Sequence, residues 1–365
     1  MNEVQLRREA AGPLPVSPKL SPYYVELRPR QTVLWCSCGL SARQPYCDGS
    51  HRGTGFEPLR HTAGPEGEEV LLCACKRTCT PPHCDGTHNA LVGVYGVDDP
   101  DSEANRRVVW SPAAADGRAR VDGGCFVCSV DRQPFQQVGT LSWARVITAD
   151  DGALHQSQFC LDFAPGESPV VAFGDCEVAL MAVSEGGTVD IAGRRFDFEG
   201  PLGIHVRPGE AFRIHNRGTA TMRVFASAGA SLTEPLWPQR MDANFDDSAP
   251  LRLAPVEAAQ RVSMAERYFQ MLVDKRHGSQ RLTQFIGEIP RSKALPHRHL
   301  YEESLIVLSG QGVMWTETLK APVNAGDVIF LPRKQQHSLE CTSESPMLVV
   351  GVIYPGDNPA INYYD

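Results

Sequence analysis

The chain has 365 residues, 42% of them apolar, which gives room for two or three domains and excludes a largely disordered protein. A net charge of −8 provides no basic footprint for nucleic acid or an anionic membrane surface, so neither is expected as a partner. The absence of any uninterrupted apolar run of about 18 residues predicts no membrane-spanning helix. Short Val-, Phe- and Trp-containing runs punctuated by 32 glycines and 28 prolines favour β-rich domains. Twelve cysteines, in a chain whose first residues lack an apolar signal segment, predict a reducing, cytoplasmic setting rather than a disulfide framework.

Residues 1–20 contain Pro13, Pro15 and Pro18 and read as a flexible tail. The alternation from Tyr23 to Leu34 predicts a strand that delivers a ligand loop: Cys36, Cys38, Ser41, Pro45, Cys47, Asp48, Gly49, Ser50 and His51. The same pattern recurs 37 residues later as Cys73, Cys75, Thr78, Pro82, Cys84, Asp85, Gly86, Thr87 and His88. Each copy offers three thiolates and one imidazole, a soft donor set suited to zinc or to an iron–sulfur cluster. The Asp–Gly step permits positive φ and predicts a short helix that returns the histidine to the metal. Phe56 to Leu59 and Val70 to Leu72 flank a Gly64 to Gly67 turn and are expected to pair as strands between the loops. Cys79 lies outside the pattern and reads as a bystander.

Both copies resemble the CDGSH iron–sulfur signature at every defined position. The resemblance implies a two-cluster domain over 21–92. One 2Fe-2S cluster would be held by Cys36, Cys38, Cys47 and His51, and the other by Cys73, Cys75, Cys84 and His88. The donor set alone leaves zinc open; the Ser/Thr, Pro and Asp–Gly positions are what favour iron–sulfur. A single imidazole among thiolates is expected to raise the reduction potential, and to make it pH-dependent if the ring protonates on reduction.

Residues 93–135 read as a linker and first strands, with a lone Cys125/Cys128 pair taken as two small apolar residues rather than a redox site. Residues 136–240 are short alternating runs expected to form a barrel or jelly roll, and the part from Gly187 to Asn216 resembles the second half of a cupin. Residues 241–262 read as a connection. They are followed by a second barrel over 263–357, which opens on a hairpin around His277, Gly278 and Ser279.

In that second barrel His297, His299 and Glu303 project from one face of a strand, Glu302 projects from the other, and His337 lies one strand-turn-strand further on. The set resembles the cupin metal signature, with Lys334 where the family often has Gly. The resemblance implies that His297, His299, Glu303 and His337 are both the metal ligands and the catalytic centre. Three imidazoles and a carboxylate suit Fe(II), Mn, Ni or Zn and leave coordination positions open. Placing Glu177 under Glu303 puts Val171, Phe173 and Ala211 at the other ligand positions of the first barrel, which predicts a degenerate barrel without metal. Gln284, Ile286 and Glu288 share one strand face and are expected to line the pocket.

The expected architecture is therefore mainly β: a small two-cluster CDGSH domain followed by two cupin barrels. Its leading functional reading is a mononuclear non-haem iron cupin oxygenase acting on a small molecule with dioxygen. In that reading the two 2Fe-2S clusters relay electrons from a ferredoxin or flavoprotein reductase. Two alternatives are a cupin dioxygenase whose clusters sense redox state or pH, and a non-enzymatic redox-sensing or iron–sulfur-carrying protein with a ligand-binding cupin. Substrate and oligomeric state are left open.

Overall fold

Strands make up nearly all of the regular structure; among the described residues, helix is limited to Glu103–Arg106 and a few 3-10 turns. The computed structural model describes residues 13–91, 96–183, 186–264, 267–356 and 358–364. The chain divides into two units, Met1–Gly93 with Ala360–Asp365, and Val94–Pro359. Among the described residues no helix is long and apolar enough to cross a membrane.

In the first unit, the stretch expected as one strand is two, Tyr23–Leu27 and Thr32–Trp35. They are separated at Arg30, whose φ of 57° is left-handed. The strands flanking the Gly64 to Gly67 turn do not pair with each other. Leu59–Thr62 pairs with Thr32–Trp35, and Glu68–Leu72 pairs with Tyr23–Leu27. This exchange buries Leu27, Trp35, Val70 and Leu72 in a single cluster, which one isolated hairpin of such short strands would not build. The final residues join the same unit: Tyr363 stacks on Tyr24 at 5.3 Å, and Asn89 Nδ2 donates to the Ala360 carbonyl at 2.8 Å.

Part of the expected tail is docked. Val16 N–H donates to the Cys38 carbonyl (3.0 Å) and Ser17 Oγ to the Cys75 carbonyl (2.7 Å), so two adjacent residues touch both cysteine loops. The approach requires Gly39, with φ 81°, where any Cβ would lie 1.8 Å from the Val16 carbonyl oxygen. Residues 1–12 lie outside the described residues.

The second unit contains two β-sandwich barrels. The middle barrel packs a seven-stranded sheet, running from Leu253–Pro255 to Gln136–Val138, against a five-stranded sheet built on Gly186–Ile191 and Ala211–Asn216. The C-terminal barrel has an eight-stranded sheet containing Thr283–Ile289, Glu302–Ser309, Asp327–Leu331 and Met347–Tyr354. Facing it is a six-stranded sheet containing Gln311–Trp315 and Ser338–Cys341. The expected hairpin is present, with Arg267–Met271 pairing antiparallel with Thr283–Ile289.

Residues 93–135 do not begin the middle barrel. Phe126–Ser129 pairs with Asp327–Leu331, Val97–Asp98 with Lys293–Ala294, and Val109–Trp110 with Leu319–Asn324, so this segment widens both sheets of the C-terminal barrel. The connection after the middle barrel also contributes a strand, because Leu253–Pro255 pairs with Leu202–Val206. Thus the strand preceding each barrel is paired into the other. Between the barrels Phe126, Ile147, Cys160, Met181, Phe225, Ile286, Ile306 and Phe330 form one apolar cluster. Cys125 and Cys128 are fully buried in different clusters, and burial raises both thiols, Cys128 to about 12.

Two carboxylates clasp the barrels reciprocally. Glu302 accepts from the backbone N–H groups of Leu154 (2.8 Å) and His155 (2.9 Å) in the middle barrel. Glu177 accepts from the N–H groups of Gln280 (2.9 Å), Arg281 and Leu282 (2.9 Å) in the C-terminal barrel. Burial alone would raise the Glu177 pKa, but the His205 imidazole beside it and hydrogen bonds from the Gln280 and Arg281 N–H groups outweigh it and hold the carboxyl below its ordinary value. A folded-state pKa below the unfolded one contributes stability that is complete above the ordinary value of 4.5 and is lost as pH falls through the lowered value. Glu177→Gln should therefore cost about 2 kcal/mol near neutrality and flatten the acid limb of the stability curve. Urea unfolding at pH 7 and below pH 4 measures both effects.

Candidate metal centres

Each cysteine loop presents its donors as two pairs. Cys36 Sγ lies 3.7 Å from Cys38 Sγ, and Cys47 Sγ 3.2 Å from His51 Nδ1; the second loop repeats this at 3.5 Å for Cys73 and Cys75 and 3.4 Å for Cys84 and His88. With metal–sulfur bonds of about 2.3 Å, the edge of a coordination tetrahedron is about 3.7 Å, so each pair spans roughly one edge. Three donor atoms converge within 4.8 Å of one another at two places among the described residues, and neither is a cysteine loop. Each loop thus offers two donor pairs, an arrangement that suits a two-metal core.

The local sequence explains this geometry. Gly49 (φ 96°) and Gly86 (φ 82°) turn the chain back after the third cysteine, and Asp48 and Asp85 cap the N–H groups of Ser50 and Thr87. A 3-10 helix, Thr87–Ala90, follows in the second loop, whereas the first continues as turns. Backbone N–H groups of Gly39, Leu40 and Gly49 point at Cys36, Cys38 and Cys47 sulfurs at 3.3 to 3.4 Å. In the second loop a hydrogen bond from Cys75 pulls the Cys73 thiol down to about 6. Burial holds His88 down at about 4, in the neutral form that ligates. The indole of Trp35 donates to the Cys73 carbonyl (2.9 Å), and buried Lys76 donates to the same carbonyl (3.0 Å) with its ammonium 4.7 Å above that indole. Cys79 is exposed and stands outside the set.

In the C-terminal barrel the donor atoms of His299, Glu303 and His337 lie within 4.8 Å of one another and are buried. His297 stands beside this group without entering it: it forms a β-bridge to His337, with reciprocal backbone hydrogen bonds of 3.0 Å and ring centroids 4.5 Å apart. All three imidazoles are oriented in the same way. Nδ1–H donates to the carbonyl two residues away: Leu295 from His297 (2.8 Å), Tyr301 from His299 (2.9 Å) and Gln335 from His337 (2.9 Å). This fixes the tautomer and leaves each Nε2 with its lone pair. His299 Nε2 is buried without a hydrogen-bond partner among the described residues, 3.0 Å from a Glu303 carboxylate oxygen. Two acceptors at that separation repel unless a cation sits between them, so the residues present fit a bound metal ion. Burial lowers His297 to about 4 and His337 well below its ordinary value, and both are neutral.

The two candidate donor segments are stapled together by Lys334 and by two arginines that the sequence pattern did not single out. Arg333 Nε donates to the Leu300 carbonyl (2.7 Å), Arg298 to the Lys334 carbonyl (2.8 Å), and Lys334 N–H to the His299 carbonyl (2.8 Å). Lys334 has φ 65°, the left-handed conformation that explains why glycine is common there. Tyr301 lies flat against His299, with ring centroids 4.0 Å apart. Charged residues inside a ligand motif were the available signal for Arg298 and Arg333.

Two expectations are corrected. The face carrying Gln284, Ile286 and Glu288 turns away from the donors. Ile286 sits in the cluster between the barrels, the Gln284 amide lies against Gly203 of the middle barrel, and Glu288 pairs with Arg261 at 3.1 Å. Phe285 and Ile289, on the opposite face, enter the C-terminal core instead. The residue equivalent to Glu303 is Val178, since Val178 pairs with Val206 as Glu303 pairs with Leu331; Glu177 corresponds to Glu302 and shares its clasp role. The last position is Phe212, which pairs with Val171 as His337 bridges to His297. Val171, Phe173, Val178 and Phe212 are thus an apolar plug where the other barrel has four candidate donors. His205 is structural, its Nδ1–H donating to the His277 carbonyl at 2.9 Å.

A family model described as iron-binding zinc finger CDGSH type matches residues 11–52, and a cupin domain model matches residues 288–353. Over 45 residues the chain is 50% identical to the human CDGSH iron-sulfur domain-containing protein 3, mitochondrial, covering 12% of this chain and 35% of that protein. Over 65 residues it is 34% identical to an uncharacterized protein of Methanocaldococcus jannaschii, covering 18% of this chain and 52% of that one. The chain thus spans about a third to a half of the length of these curated relatives. Among solved structures, the protein Ylba from E. coli aligns with a TM-score of 0.51 at 13% identity, covering 70% of this chain and 99% of that one. A mutant of Bacillus subtilis oxalate decarboxylase aligns with a TM-score of 0.50 at 12% identity, covering 64% and 77%. At these identities the likeness shows the fold. The chain carries a CDGSH iron–sulfur domain in its N-terminal part and a cupin domain in its C-terminal part.

Proposed function

We propose that the protein is a mononuclear non-haem iron oxygenase acting on a small molecule in its C-terminal barrel, with both cysteine loops carrying 2Fe-2S clusters that feed it electrons. When bound, the clusters supply one-electron storage and the barrel ion supplies dioxygen activation. The observation that carries the reading is the donor set: three imidazoles with Nδ1 pinned, one carboxylate, and a buried His299 Nε2 that has no hydrogen-bond partner among the described residues.

The residues divide the work. His297, His299, Glu303 and His337 hold the ion, and Glu303 adds the negative charge that favours its oxidised state. Backbone carbonyls fix the three rings, so no ligand has to reorient during turnover. Phe285, Leu305, Met314 and Leu339 make the barrel interior apolar and exclude water around the donors. Cys36, Cys38, Cys47, His51, Cys73, Cys75, Cys84 and His88 hold the clusters, with Lys76 placing a buried positive charge beside the thiolates. The reading implies a ferredoxin or flavoprotein reductase as external donor, a cytoplasmic setting, and a middle barrel whose role is packing.

His297→Ala should abolish turnover and leave cluster absorbance unchanged, whereas His88→Cys should change the cluster spectrum and leave the barrel metal content intact; loss of cluster absorbance in His297→Ala would contradict the separation of the two centres. In single-turnover assays supplied with substrate and dioxygen, protein with oxidised clusters should stall until a reductant is added. A full turnover without it would assign all electrons to the substrate.

A further inference from the structure

The second place where three donor atoms converge lies in the first unit and outside the cluster loops' own ligands: His61, Glu68 and His83. His61 stands on the strand Leu59–Thr62, Glu68 opens the strand Glu68–Leu72, and His83 bridges to Leu72 from the second cysteine loop. His61 Nε2 is 2.8 Å from Glu68 Oε2, and the His61 and His83 rings meet edge to face at 5.0 Å. All three residues are half-buried, so a hydrated ion can reach the donors from solvent.

We propose that these three residues form a binding site for a borderline divalent transition-metal ion, of which zinc is the type. Two imidazole nitrogens and one carboxylate oxygen, all within 4.8 Å of one another, are the donor types and number of an open zinc site, with the fourth position left to water or a ligand. The hard cations magnesium and calcium are disfavoured because they take oxygen donors rather than imidazole. The exchanged strand pairing brings the donors together: His61 and Glu68 lie on strands that pair with different partners. His83 directly precedes Cys84. An ion here would join the two strands to the second cysteine loop and place positive charge beside that loop's third thiolate, which favours the reduced state of a cluster bound there.

The test is equilibrium dialysis of the full-length, cluster-loaded protein against zinc, followed by elemental analysis and redox titration. Wild type should retain one zinc equivalent that His61→Ala and the near-isosteric Glu68→Gln each lose, while cluster absorbance stays unchanged in both. His299→Ala, which removes a donor of the C-terminal barrel, should retain that equivalent. Zinc should raise the midpoint potential of one cluster in wild type and of neither in Glu68→Gln. Equal zinc retention by wild type, His61→Ala and Glu68→Gln would overturn the proposal, and so would an equivalent that disappears in His299→Ala alone.

Discussion

Three imidazoles can offer the same nitrogen to one ion only if the other nitrogen of each is already committed. In the C-terminal barrel that commitment is made by backbone carbonyls two residues from each ring, those of Leu295, Tyr301 and Gln335. Because the acceptors belong to the main chain, the orientation of the donors is set by the strand and turn geometry itself. The left-handed turn at Lys334 and the bridge between His297 and His337 therefore hold the metal site as well as the fold. What remains is a buried nitrogen lone pair facing a carboxylate, an arrangement that a cation relieves.

The two barrels solve one topological problem with opposite chemistry at the centre. Each receives a strand that precedes the other, and each sends one carboxylate, Glu177 or Glu302, to the N–H groups of its neighbour. At the ligand positions the middle barrel has Val171, Phe173, Val178 and Phe212 where its counterpart has two histidines, a glutamate and a third histidine. Phe173 and Phe212 are nearly parallel, with ring centroids 6.5 Å apart, and fill the space an ion and its donors would occupy. An apolar plug needs no cofactor to be stable, which leaves the middle barrel free to act as the packing partner of the one that keeps its donors.

The candidate donor residues were legible in the sequence because each group depends on local spacing: four donors within sixteen residues in each cysteine loop, and an alternation of faces along His297, His299 and Glu303. Longer-range choices were not. Nothing local to Leu59–Thr62 or Glu68–Leu72 tells them to pair with earlier strands instead of with each other, since the alternatives differ only in the shared core around Trp35 and Leu72. The same holds for Phe126–Ser129, whose alternation suits either barrel. The one-residue error at Glu177 arose because two adjacent glutamates, Glu302 and Glu303, have different roles, and only strand register separates the clasp from the ligand. The pocket face of Thr283–Ile289 was undecidable for a related reason, both faces being buried. His61 and His83 carried no signal, because their meeting depends on the exchanged pairing.

Elemental analysis of protein purified without oxygen tests the central claim most directly. The account predicts two sulfide ions for each cysteine loop and, beyond the cluster iron, one metal ion at the C-terminal barrel, lost when the donors of that barrel are removed. Native protein without sulfide, or with nothing bound among His297, His299, Glu303 and His337, would contradict it.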